Sequence, residues 1–360
     1  MRSADVVLKL DCRDNPYYAL AKHPTICYNG SMNNLVKQLD EIIGTIDFAA
    51  IWPGFAPTNF ALYDDETVYL PDNEMPWDTR FSGNTAIMLD DAPLAIWHVE
   101  NPEKADIPRL VTGLVHEMFH AFQRQQGETR WPDEFALLTY PQDVDNFRLK
   151  LAENHYLAKA IVDNSAIDLQ QFMVLREARR RIIGDAMLQE QYAETTEGMA
   201  EYAGLAALLQ ISREQFMKEI QAHMEVLRNP RFLFDVRFVS YSVGCLICFV
   251  LKSLDINFDH DLSDKRTIYG LIPREANDVD KFFADVQRSK QAKFDAFLAK
   301  HEQRVEHRAE ITGYDPWDWE KLGDRILCPS FVELGELYIK GPVMLEMVAG
   351  SSREIIAYIK

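Results

Sequence analysis

The sequence predicts an α+β protein: a turn-rich N-terminal α+β part, a mostly helical middle and a small β-rich C-terminal unit. Three observations predict it. Turn signals such as Asn15-Pro16, Asn29-Gly30, Pro53-Gly54 and Pro71-Asp72-Asn73 crowd residues 1–105, between short strand-like runs VVLKL, TVYL and TAIML. From Pro108 to about Leu254 breakers thin out and apolar residues recur at helical spacing. After Asp255 a charged amphipathic stretch gives way to the strand-like runs ILCPSFVEL, ELYIKG, PVMLEMV and EIIAYIK, with turn residues between them. The corresponding parts are 1–105, 106–255 and 256–360.

In chain order, the first part carries one helix, near Asn33 to Ile43. Pro108, tolerated in a first helical turn where its missing N–H has no partner to lose, opens a helix to about Gln126. Its Leu110, Leu114, Val115, Met118, Phe119 and Phe122 form an apolar stripe. Further helices are expected at 142–163, 167–209, 212–227 and 238–254. Gly184 is the place for the second of these to break, and Ser212 with Gln215 suits a capping box on the third. A charged helix follows from Val279 to His307. The aromatics of residues 48–81 (Trp52, Phe55, Phe60, Tyr63, Tyr69, Trp77, Phe81) are expected in the core, with a substrate cleft as the alternative.

Composition limits the partners. The 360 residues carry a net charge of −18, which opposes the phosphate contacts that nucleic acids and anionic membranes require. The N-terminus lacks the apolar core of a secretion signal, and the longest apolar run, Phe238 to Leu251, reads as too short to cross a bilayer. The expectation is a soluble, cytoplasmic protein with no membrane partner. Five scattered cysteines (Cys12, Cys27, Cys245, Cys248, Cys328) suit free thiols in a reducing compartment. Cys245-x-x-Cys248 has the spacing of half a zinc knuckle or a redox pair, but it sits in GCLICFVL without a second pair and reads as core packing.

The chemistry is concentrated in VTGLVHEMFHAFQ, residues 111–123. On a helix, positions four apart share a face, so the imidazoles of His116 and His120 can reach one Zn²⁺ ion. Two such ligands leave room for a third and for a water, whose proton Glu117 is placed to accept. Gly113, one turn earlier, would leave space for a substrate strand. The alternative is polar decoration on an exposed helix face. ETTEGMAEYAG, residues 194–204, offers Glu197 as third ligand and Glu201, four residues on, as a carboxylate to receive the other N–H of a ligating histidine. Gly198, Ala200, Ala203 and Gly204 would let this helix lie close to a neighbour. Here the alternative is a solvated acidic stripe of Glu190, Glu194, Glu197 and Glu201.

Together, His116-Glu117-x-x-His120 and Glu197-Gly198-Met199-Ala200-Glu201-Tyr202 resemble the gluzincin metallopeptidases, the group of thermolysin and the aminopeptidase N family. The resemblance implies a zincin-like helical core, one Zn²⁺ per chain held by His116, His120 and Glu197, Glu117 as general base, Glu201 behind a ligand, and a peptide or protein substrate. VSYSVG, residues 239–244, resembles the segment in which aminopeptidase N relatives place a tyrosine that stabilises the oxyanion. By that likeness Tyr241 is the donor, with His223 as another candidate and a tyrosine capping a buried helix as the structural alternative. FSGNTAIMLDD, residues 81–91, lies where an edge strand could pair with an extended substrate.

Two departures qualify the likeness. Far more residues lie between His120 and Glu197 than in the aminopeptidase N family, which requires a helical insertion near 142–185. No Gly-x-Met-Glu-Asn segment is present to capture a free amino terminus, so aminopeptidase activity is not expected. The rival from another class is a non-catalytic helical binding protein with a structural or vestigial zinc site, closed by a fourth ligand such as Glu194.

Overall fold

The computed structural model describes residues 31–259, 262–273, 279–315, 318–351 and 353–360. The expectations for VVLKL, for the turns before Ser31 and for Cys12 and Cys27 lie outside the described residues. Within them the chain is α+β, with ten helices and twelve strands. One unit gathers the described residues up to Pro141 with Lys150–Met173 and Ile183–Glu275, and the other gathers Gln142–Leu149, Val174–Ile182 and Ala276–Lys360. The sequence boundary at residue 105 therefore falls within the first unit.

That unit begins with α1 (Met32–Ile43), which buries Leu35, Val36 and Leu39, and the short α2 (Phe48–Ile51), capped by the Asp47 carboxylate accepting from Ala50 N. Five strands follow: β1 (Asn59–Tyr63), β2 (Thr67–Tyr69), β3 (Glu74–Pro76), β4 (Thr85–Leu89) and β5 (Ala92–His98). They form a sheet in the order β3-β2-β1-β5-β4, with β1 and β5 parallel and the other pairs antiparallel. β1 and β5 are buried along continuous stretches instead of on alternate residues, which is why NFALY and PLAIW carry no period-two signal. β4, from the run expected to be an edge strand, does lie at the sheet's edge. Asp90 and Asp91, both at positive φ, make the two-residue turn into β5.

α3 (Ile107–Gln125) starts at Asp106, whose side chain accepts from Arg109 N at 3.2 Å. Phe119 and Phe122 on this helix meet Phe55, and Phe119 also meets Trp52, with ring centroids 5.1 to 5.3 Å apart. Those aromatics belong to the core, as do Phe60, Tyr63 and Phe81, whereas Trp77 is exposed. At about 1.5–3 kcal/mol for each fully buried large side chain, this cluster fixes α3 firmly against the rest of the unit.

After α4 (Glu134–Leu138) and α5 (Val144–Val162), the expected 167–209 helix is two: α6 (Ala166–Ile183) and α7 (Ala186–Ile211). Gly184, at φ +57°, makes the break, a conformation that a residue with a Cβ adopts reluctantly. α8 (Arg213–Arg228) opens on Ser212, whose hydroxyl accepts from Gln215 N, and α9 (Val236–Ser253) completes the unit. α9 is long and apolar enough to cross a membrane by length and composition, contrary to the reading of its sequence as too short, but 72% of that window is buried inside the fold. Cys245 and Cys248 lie within it without exposure, and burial pushes both thiols well above the usual range. They are core residues.

Glycines set how closely these helices meet. A Cβ on Gly244 of α9 would stand 1.8 Å from the Glu194 carbonyl oxygen of α7, and one on Gly198 would stand 2.4 Å from Gly244 Cα. At the other end of α7, a Cβ on Gly204 would come within 2.5 Å of the Thr112 carbonyl oxygen on α3. α7 is thus clamped against both neighbours through backbone contact.

The second unit holds α10 (Val279–Leu298) and an antiparallel sheet of β6 (Arg304–Tyr314), β7 (Glu320–Leu322), β8 (Arg325–Cys328), β9 (Phe331–Leu334), β10 (Leu337–Lys340), β11 (Val343–Met347) and β12 (Glu354–Ile359). The order is β10-β9-β6-β12-β11-β8-β7. Phe294 and Phe297 of α10 pack on Leu327, Met344 and Ile359. The helix expected to reach His307 stops at Leu298, because RVEHRAEI has a period of two: Val305, His307, Ala309 and Ile311 turn inward while the charged residues between them face out. Its charge-rich composition imitates an exposed helix.

Candidate metal centre

α3 and α7 bring His116, His120 and Glu197 together, all buried at 6–7% exposure, with one donor atom from each within 4.8 Å of the others. Glu197 Oε2 lies 3.1 Å from His120 Nε2 and 3.6 Å from His116 Nε2. The edge of a tetrahedron built on Zn–N and Zn–O distances is about 3.3 Å, so the spacing matches one ion between them.

The hydrogen bonds behind these atoms settle which way they face. Gln123 Nε2 donates to the Thr196 carbonyl at 3.0 Å, so its Oε1 faces α3 and accepts from His120 Nδ1 at 2.7 Å. His116 Nδ1 donates to Glu201 Oε2 at 2.9 Å. With both Nδ1 atoms donating, neutral imidazoles point two Nε2 lone pairs at a carboxylate oxygen. Three acceptors around one point need a proton or a metal ion between them. The electrostatics agree: burial disfavours a charged His116, but hydrogen bonds to Glu197 and Glu201 outweigh it and raise its pKa to about 10. Burial likewise acts to raise both carboxyls, and the histidines outweigh it, holding Glu197 and Glu201 well below the usual range.

Around this group, Glu117 is 8% exposed and has no hydrogen-bond partner among the described residues. Burial, opposed by the charges of His116 and His120, pushes its carboxyl up. Tyr241 of α9 stacks on His116, with centroids 5.8 Å apart and planes 9° from parallel. Burial and then the charge of Glu197 push its phenol up, so it stays protonated and able to donate. The edge strand is tied to the same helix, since Arg124 Nη1 donates to the Ala86 carbonyl of β4 at 3.1 Å.

Several alternatives from the sequence are corrected. His116, Glu117 and His120 do not decorate an exposed face, because α3 is enclosed nearly all round. The acidic stripe is not solvated: Glu190 and Glu194 are fully buried and Glu197 faces the histidines. Gly113 leaves no room for a substrate, since the Trp97 ring occupies the space a Cβ would take, 2.2 Å away. Both ring nitrogens of His223 have partners, Nε2 lying 3.3 Å from Glu201 Oε1 and Nδ1 2.9 Å from Ser242 Oγ. Among the described residues no fourth His, Cys, Asp or Glu joins the metal-holding group, Glu194 included.

Two contributors escaped the sequence reading. Gln123 sits three residues after His120, one turn along the same face, and that spacing was the available signal. Arg237, one turn before Tyr241, donates from Nη2 to Glu197 Oε1 at 3.1 Å and from Nη1 to Glu134 at 2.8 Å. It leaves Oε2 alone to face the imidazoles. Nothing in the sequence near Arg237 marks it, because its partner is on another helix. No protein-family model, curated protein or solved structure matches the chain.

Proposed function

We propose that the chain is a zinc metallopeptidase of gluzincin type, with His116, His120 and Glu197 as ligands. The observation that carries this reading is the convergence of two imidazole lone pairs and a carboxylate oxygen, with Glu117 beside them and no fourth protein ligand among the described residues. A bound zinc ion supplies Lewis acidity to a carbonyl and acidifies water. The Glu117 carboxylate takes the proton of the attacking water and returns it to the leaving amine nitrogen. Tyr241 Oη donates to the oxygen that gains negative charge, a contact worth several kcal/mol in a preorganised site. Arg237 and Glu201 keep Glu197 and His116 oriented, and β4 offers backbone groups to an extended peptide.

Zinc content of the purified wild type beside Glu197→Ala tests the ligand set. About one zinc per chain in the wild type, lost in the variant, is the expected result. Glu117→Gln should retain zinc and lose hydrolysis of a peptide library. Sustained turnover in that variant would falsify the assigned mechanism, and a wild type that takes up no zinc on supplementation would remove the function itself.

A further inference from the structure

α8 buries Phe216, Ile220, Met224 and Leu227, an apolar stripe at helical spacing, and packs on α7 and α9. His223 lies on the same face, three residues after Ile220, where another apolar side chain would pack without cost. Instead the position carries an imidazole with 13% of its side chain exposed, and α9 sets the buried Ser242 against it. Burying two polar side chains at a helix interface is unfavourable unless each finds a partner. Both do: His223 Nδ1 lies 2.9 Å from Ser242 Oγ, and Nε2 lies 3.3 Å from Glu201 Oε1. Ser240 turns its hydroxyl back to the Val236 carbonyl of its own helix, the usual habit of a helical serine, whereas Ser242 reaches across to α8.

Glu201 therefore stands between two imidazoles, with Oε2 2.9 Å from His116 Nδ1 and Oε1 3.3 Å from His223 Nε2. A carboxylate held by one oxygen can turn about its side-chain bonds. Held by both, it keeps Oε2 in one place, which fixes the plane of the His116 ring and the direction of its Nε2 lone pair. The connected groups run from α3 through α7 and α8 to α9. α8 supplies none of the three metal-holding side chains, and His223 is its link to them. Ser242 directly follows Tyr241, whose ring stacks on His116, so the circuit closes through α9.

We propose that His223 is a positioning residue for the metal centre, locking Glu201 so that His116 keeps its Nε2 on the ion. The proposal deepens the reading above and rests on its metal site.

Two substitutions in the full-length protein separate this role from packing. The amide nitrogen of glutamine falls about where Nε2 stands, and that of asparagine about where Nδ1 stands. His223→Gln thus keeps a donor for Glu201, while His223→Asn keeps only the Ser242 side. Zinc affinity from chelator competition should stay near the wild-type value in His223→Gln and fall about tenfold in His223→Asn. Cobalt(II) put in place of zinc should keep its visible absorption spectrum in the first variant and change it in the second, a readout of ligand geometry that the packing of α8 does not set. If His223→Asn does not fold, His223→Leu takes its place, since leucine suits the apolar stripe and offers Glu201 no donor. Equal zinc affinities and cobalt spectra in His223→Gln and the variant lacking the Glu201 partner would overturn the proposal. These arms read metal binding, not turnover. A protein that follows them yet cleaves no peptide defeats the peptidase reading and keeps the proposal, whereas equal affinities beside intact hydrolysis defeat the proposal alone.

Discussion

Replacing Gly244 by alanine probes how strictly the helix crossing sets the site. The added carbon would stand 1.8 Å from the Glu194 carbonyl oxygen and 2.8 Å from Gly198 Cα, both backbone atoms of α7. That is about 1.6 Å short of ordinary contact, and no side-chain rotation relieves it, so the helices must part by a distance of that order. α7 carries Glu197 and α9 carries Arg237 and Tyr241, so the separation falls on the Arg237–Glu197 bond. Overpacking against backbone puts the stability loss at the upper end of its usual range, about 3 kcal/mol. On the peptidase reading, a misplacement near 1 Å should reduce hydrolysis by about a hundredfold. Urea unfolding measures the first effect and peptide turnover the second. Gly270→Ala is the control: its added carbon would meet only ordinary contacts at 3.5 Å, and it should stay within about 0.5 kcal/mol of wild type. A Gly244→Ala protein with wild-type midpoint and turnover would refute the claim that backbone contact positions the site.

The remaining predictions concern the groups behind the ligands. Arg237→Ala frees Glu197 Oε1, and zinc affinity measured by chelator competition should fall about tenfold, with Arg237→Lys recovering part of it. Gln123→Leu removes the acceptor for His120 Nδ1 and leaves the Thr196 carbonyl without its side-chain donor. Affinity should fall about 10- to 100-fold in the same competition, and an unchanged value would show that Gln123 does not orient His120. Stripping the metal should lower the thermal midpoint, since an ion at one hundred times its dissociation constant adds about 2.7 kcal/mol to the folded state. A midpoint indifferent to zinc and chelator would count against a site between α3 and α7.

How much the sequence disclosed follows from the distance over which each feature is determined. The grouping of His116, His120 and Glu197 and the contact of Glu201 with His116 were legible because each pattern lies within one or two turns of a single helix, where spacing dictates the face. Gln123 obeyed the same rule and could have been read. Arg237, His223 and Ser242 were not legible in their roles, since each acts across a helix interface that pairing alone decides. Gly113 shows the converse error: a missing side chain suggested open space, and Trp97 from β5 fills it. The strand Arg304–Tyr314 was hidden by its charges, although its alternation was present. β1 and β5 were hidden for the opposite reason, because a central strand covered on both faces has no alternation to show.

The long interval between His120 and Glu197, filled by α5 and α6, also orders events in time. As the chain is made from its N-terminus, the sheet and α3 emerge well before the helices that enclose them. The two imidazoles then wait without the Glu197 carboxylate, and the apolar flank of α3 waits without its cover. Only when α7 and then α9 arrive do Glu197 and Tyr241 close the group. On the peptidase reading, the growing polypeptide is inert toward itself and its neighbours until the helical part is complete.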